Sequence, residues 1–176
     1  MAEESQHPTE TATPPHPAIN AMLICDQALI EEATAKSTLV GVFETISAFQ
    51  FPARHGPLCV YAKVTDAEGQ YRMRLDLVRL EDLSAIGQGQ FTATFGNRMG
   101  SAEMVFQIYG LTFPEPGRYE FRLYANDRWM GSKALNVVRA PEPKPQTEQI
   151  RVFGSTITVR WLSFMLPAAK PSGGFQ

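Results

Sequence analysis

Chemistry needs side chains that donate, accept or coordinate, at spacings that let them meet. Three histidines are present, His7, His16 and His55. The first two lie in an N-terminal stretch rich in Thr, Pro and Glu, and the third follows Pro52 in a loop-like segment. No pair has ligand spacing and no Cys-x-x-Cys occurs, so neither a metal nor any other cofactor is expected. The two cysteines are Cys25 and Cys59. A nucleophilic thiol needs a nearby base and an electropositive setting. Both cysteines instead sit in apolar runs, where cysteine behaves as a small buried hydrophobe. They meet only if their strands are neighbours. The acid pairs Glu31-Glu32 and Glu81-Asp82 are adjacent in sequence rather than convergent, and read as solvated charge. Asp66 and Glu68 share a turn with Gly69, too few oxygens for a calcium loop. Gly87-Gln88-Gly89 lacks the lysine and the following helix of a phosphate loop and reads as a turn. No catalytic residue emerges, and the sequence predicts a protein that is not an enzyme.

One grouping remains. Arg72, Arg74, Arg118 and Arg122 alternate along two predicted strands. With Tyr61, Tyr124 and Trp129 they define a basic, aromatic-lined sheet face suited to a protein, a glycan or an anion. Trp161, in a C-terminal segment, needs something to bury against. The predicted binding surface is therefore Tyr61, Arg72, Arg74, Arg122, Tyr124, Trp129 and Trp161. The competing reading is a solvent face balanced by Asp76, Glu120 and Glu44 through cross-strand pairs.

The elements that must carry these residues follow from composition and periodicity. The 176 residues are 44% hydrophobic and 19% charged, enough apolar material for one packed domain with tails. Net charge is −2; the three acids of the first eighteen residues, removed, leave +1. A near-neutral fold has no nucleic-acid footprint. The N-terminus has no basic region and no apolar run, so no secretory signal is expected. No stretch approaches the eighteen or so apolar residues of a membrane span, so no membrane insertion is expected. A cytoplasmic location is the expectation.

Residues 1–18 are predicted to be disordered. Ala21-Met22-Leu23-Ile24-Cys25 reads as a first strand. Residues 27–36 read as a connection with a turn of helix, because Ala, Leu, Ile and Glu dominate there. Residues 39–46 form a second strand, in which Gly41 marks a bulge or a close backbone approach. Leu58, Val60, Ala62 and Val64 share one face of the next strand; Tyr71, Met73, Leu75 and Leu77 share one face of the strand after it. The turn at 66–69 between them predicts a hairpin. Residues 81–90 read as a turn region, 91–95 as a short strand and 102–109 as another. Pro114-Glu115-Pro116-Gly117 turns the chain into the strand of Tyr119, Phe121 and Leu123. Asn126-Asp127 then makes a tight hairpin to the strand from Trp129 to Val137.

Seven to eight strands over residues 20–139, with turn signals every eight to twelve residues, predict an all-β antiparallel sandwich. The last hairpin resembles that of immunoglobulin-like domains. The resemblance gives Tyr119 a tyrosine-corner role, its hydroxyl bonding back to upstream backbone. No Cys–Trp–Cys framework accompanies it. After Pro141-Glu142-Pro143-Lys144-Pro145 and a linker spanning 141–149, residues 150–166 read as one or two amphipathic strands, and 167–176 as a disordered end. The domain itself spans 19–140.

Several motifs resemble a small bacterial protein family of unknown function. They are Asn20-Ala21-Met22-Leu23-Ile24-Cys25-Asp26, Gly41-Val42-Phe43-Glu44, Leu58-Cys59-Val60-Tyr61 and Pro116-Gly117-Arg118-Tyr119-Glu120-Phe121. The resemblance implies an immunoglobulin-like sandwich and assigns no catalytic residues. The functional expectation is a protein-binding or self-associating assembly module, acting through sheet edges and the tethered C-terminal β-segment. A carbohydrate- or other ligand-binding module, stacking its ligand on Trp129, Tyr124 and Tyr61, is the alternative.

Overall fold

The computed structural model describes residues 15–34, 36–141, 147–152 and 155–160, the last two stretches as backbone only. Contacts divide the chain into two units, 1–140 and 141–176.

The first unit carries eleven strands: β1 (Ala18–Glu31), β2 (Lys36–Val42), β3 (Thr45–Ala48), β4 (Ala53–Arg54), β5 (Leu58–Thr65), β6 (Gly69–Arg79), β7 (Ala85–Phe95), β8 (Ala102–Ile108), β9 (Thr112–Phe113), β10 (Gly117–Ala125) and β11 (Arg128–Arg139). One sheet has the order β2-β1-β5-β8 and the other β3-β11-β10-β6-β7; β4 and β9 form a short separate pair. Every pairing is antiparallel except β3 with β11. β1, β5 and β8 stand where immunoglobulin strands A, B and E stand, and β6, β10 and β11 where C, F and G stand. The fold is an immunoglobulin-like β-sandwich.

The period-two faces predicted from sequence are the faces that meet. Leu58, Val60, Ala62 and Val64 are fully buried, as is Met73, and Tyr71, Leu75 and Leu77 are nearly so. The predicted hairpin between β5 and β6 is not formed. The two strands lie in different sheets, and their apolar faces oppose each other across the core. Two long apolar faces bury more surface face to face than side by side, and positive φ at Asp66 and Gly69 lets the chain cross over.

Residues 27–36 are likewise strand rather than connection. β1 runs on to Glu31 and pairs with β2 from Cys25↔Val42 to Glu31↔Lys36. Ladder pairing overrides a weak local helical preference. Residues 85–90, read as turn, belong to β7, which pairs with β6 along its length. Residues 15–18, read as part of a disordered tail, are held in place. Ala18 pairs with Thr65, and the Tyr71 hydroxyl donates to the Pro15 carbonyl at 2.6 Å.

The Gly41 expectation is met by close approach. Its φ is 65°, and the Asp26 side chain fills the place a Cβ would take. The Asn126-Asp127 turn has positive φ at both residues (47° and 62°), as a tight two-residue hairpin requires. Tyr119 is solvent-free, and its hydroxyl donates to the Glu115 carbonyl at 2.7 Å, closing the corner.

The second unit is a hairpin of β12 (Thr147–Val152) and β13 (Ser155–Arg160), in register from Thr147↔Arg160 to Val152↔Ser155. It begins three residues earlier than the sequence suggests. Trp161 lies outside the described residues.

Candidate functional site

Arg72 and Arg74 on β6 and Arg122 and Tyr124 on β10 share the outer face of the five-stranded sheet. Inward positions alternate with them: Tyr71, Met73, Phe121 and Leu123. Trp129 pairs with Tyr124 and is 59% exposed. Tyr61 does not join this face. It sits on β5 in the opposite sheet and is buried, so the sequence grouping is corrected there. Alternation along one strand reveals which residues share its face. It cannot reveal which sheet the strand enters.

The charges on this face largely satisfy one another. Arg74 lies 3.2 Å from Asp76 and 2.9 Å from Asp127, and its guanidinium covers the Tyr124 ring at 4.2 Å. Arg72 pairs with Asp127. The Arg122 Nε donates to Glu120 at 2.7 Å, and the Ser132 hydroxyl donates to the same carboxylate at 2.7 Å. Burial by itself raises the Glu120 pKa; the Arg122 and Ser132 hydrogen bonds, together with the charges of Arg122 and Arg118, outweigh it and hold the carboxyl below its ordinary value. The face is a cross-strand charge ladder. It also offers no three-ring platform for a sugar, because Tyr61 is elsewhere and Arg74 occupies Tyr124.

Cys25 and Cys59 do meet as register partners on adjacent strands, both as free, buried thiols. Burial above all, with Cys59 and Asp26 nearby, pushes the Cys25 thiol up, away from the reactive thiolate. Among the described residues, no three His, Cys, Asp or Glu side chains converge as a metal site.

A concave feature of the domain lies at its open side, between the edge strands β7 and β8. A cavity of about 420 Å³ is lined there by Leu75, Leu77 and Phe121 beneath, Phe106 and Ile108 from β8, and Gly87 and Gly89 from β7, among others. Its lining contains no carboxylate, amine, guanidinium, imidazole or thiol. The cause is local. Gly87, Gly89, Phe91, Ala93 and Phe95 pair with the inward-facing Leu77, Leu75, Met73, Tyr71 and with Gly69. These odd-numbered positions are therefore the inner face of β7. Phe95 fills its place and is 8% exposed. Phe91 reaches across to Phe106 of β8, ring centroids 5.4 Å apart and edge to face. Beyond that contact the two glycines have nothing to place in the gap. Among the described residues, no atom lies within 4 Å of a Cβ built on either.

The edge of β7 is equally unusual. Its sequence, AIGQGQFTATF, has eleven residues with no charge and no proline. The other edges carry some protection. β2 contains Lys36 and the positive φ of Gly41, β3 is four residues long, and β8 carries Glu103. Leu29, Ile30, Val40 and Val42 are also about half exposed on the β1–β2 hairpin, but they line neither of the two cavities described between the sheets. The backbone groups that β7 leaves free can be assigned. The Arg79 N–H donates to the Ser84 carbonyl and the Arg72 carbonyl accepts from Asn126, so odd residues of β6 point at β7 and even ones at β10. On β7 it is then Gln88, Gln90, Thr92 and Thr94 whose N–H and C=O face outward.

Sequence reasoning missed this site by reading Gly87-Gln88-Gly89 as a turn. The signal was present. From Gly87 to Phe95 polar and small or aromatic residues alternate without a break.

The chain belongs to a family of unknown function, DUF6941, whose model matches residues 20–138. No curated protein matches it. A solved structure described as an immunoglobulin-like protein from Pseudomonas aeruginosa is similar over 69% of this chain and 95% of its own, at 13% identity and a TM-score of 0.35. Among the described residues no helix is long and apolar enough to cross a membrane.

Proposed function

We propose that this protein is a non-enzymatic binding and assembly module whose docking element is the free edge of β7. The observation that carries this reading is an uncharged, proline-free edge strand running beside an apolar cavity. Edge backbone groups pair with an incoming strand, and a neighbouring pocket takes its alternate side chains. The cavity is equipped to bury apolar surface, and the one titratable group in its walls is the phenol of Tyr109, with no second group beside it there to form an acid–base pair, which favours binding over catalysis. The C-terminal hairpin β12–β13 is a second pairing element in the same reading, joined to the sandwich through the proline-bounded segment. A reducing cytoplasmic setting suits the free thiols of Cys25 and Cys59.

The test is affinity capture from the native source with two baits, the wild-type chain and Thr92→Lys. Thr92 faces outward on β7, so the lysine blocks the edge without entering the core. A partner held by the wild type and lost by the variant is the expected result. Identical capture by both contradicts the reading.

A further inference from the structure

We infer that the strand received by β7 is β7 of a second copy, paired antiparallel about a two-fold axis at Gln90. The inference rests on the edge reading above and names its occupant. In this register Gln90 faces Gln90 of the other copy, Gln88 faces Thr92, Gly89 faces Phe91 and Gly87 faces Ala93. The outward backbone groups of Gln88, Gln90 and Thr92 then meet as hydrogen-bonded pairs. The inner-face residues fall on the non-hydrogen-bonded positions, where Cα atoms approach to about 4.5 Å and side chains are closest.

That geometry solves the packing problem of the edge. Each Phe91 ring, 38% exposed in the single chain, comes to lie against Gly89 of the other copy, at the mouth of its cavity. The missing side chain of one copy is supplied by the exposed ring of the other, twice by symmetry. An aromatic ring laid over a cross-strand glycine is a known stabiliser of sheet pairing. Moving the axis to Phe91 would set ring against ring and place only the methyl of Ala93 opposite Gly89. Electrostatics permit the contact. β7 brings no charge to it, and Arg74, the β6 partner of Gln90, lies three strand spacings from its symmetry mate. At about 4.8 Å each, those spacings amount to about 14 Å, beyond the screening length of about 8 Å in physiological salt. The two five-stranded sheets join into one.

The experiment places a photo-reactive benzoylphenylalanine at position 90 of the full chain and maps the product by mass spectrometry, alongside sedimentation over a range of concentrations. Expected are a concentration-dependent dimer and a cross-link into residues 86–94 of a second copy. Gln90→Lys sets like charges directly opposite at the axis and weakens the dimer about tenfold or more. A cross-link into residues 147–160 of the same chain overturns the inference by assigning the edge to the C-terminal hairpin. A cross-link in native lysate to a different polypeptide, with no self product, overturns the inference and leaves the edge reading standing. Absence of any product overturns both.

Discussion

Two strands of one sheet treat the same interior in opposite ways. Along β10 the inward positions from Tyr119 onward are filled: Tyr119, Phe121, Leu123 and Ala125 are essentially solvent-free, and Leu135 and Val137 on β11 continue the layer. Along β7, two places away, the inward series thins from Phe95 through Ala93 and Phe91 to Gly89 and Gly87. Filling an inner face stabilises the domain. Emptying it at an edge leaves room for something else. The outer faces show the converse. Between β6 and β10 the arginines meet their own carboxylates, whereas β7 offers open backbone and no charge.

The largest effects should come from the filled end. Phe121 is 1% exposed and also forms part of the cavity floor. Phe121→Ala should cost about 3–5 kcal/mol of stability, read by chemical denaturation, through lost burial and an enlarged void. A loss below about 1 kcal/mol would mean the inner layer is not packed as described. Next comes the corner. Tyr119→Phe removes the hydroxyl that donates to Glu115 and should cost about 1 kcal/mol in thermal melts.

The empty end should respond with the opposite sign. Gly89→Ala meets no atom, so the single chain should gain about 0.5–1 kcal/mol by losing unfolded-state freedom. Association through β7 should weaken in the same variant, since the added methyl occupies the place of the incoming ring. A variant both more stable and equally associated would break the contrast.

The smallest effect concerns a cluster on the other sheet. The Ser37 hydroxyl, foremost, and Lys63 hold the Glu103 carboxyl below its ordinary pKa. A depressed carboxylate stabilises the fold above its unfolded value, and that contribution is lost as pH falls through the folded value. Ser37→Ala should therefore cost about 0.2–1 kcal/mol at neutral pH, in the range of solvent-screened contacts. The difference from wild type should shrink below about pH 4. A difference that holds constant into acid would assign Ser37 some other role.

How far the sequence reached is itself explained by these contrasts. Period-two alternation identified Leu58 to Val64 and Tyr71 to Leu77 as core faces, and the Pro-Gly turn before Tyr119 marked the corner. Alternation is a property of one strand, so it could not tell that β5 and β6 face each other across the core. For the same reason it set Tyr61 beside arginines that stand in the other sheet. At residues 27–31 isolated propensity speaks for helix while the ladder to β2 decides for strand. The β7 site stays hidden as long as glycine reads as punctuation. Glycines alternating with glutamine belong to a strand whose inner face is deliberately small.

Hydrogen exchange at the β7 amides tests the account most directly. In dilute solution the N–H groups of Gln88, Gln90, Thr92 and Thr94 should exchange quickly, while Gly89 and Phe91, bonded to β6, stay protected. Concentrating the protein should slow the first set and leave the second unchanged. Outward amides already protected at the lowest concentration, or indifferent to concentration throughout, would contradict the claim that this edge is open and pairs with its own copy.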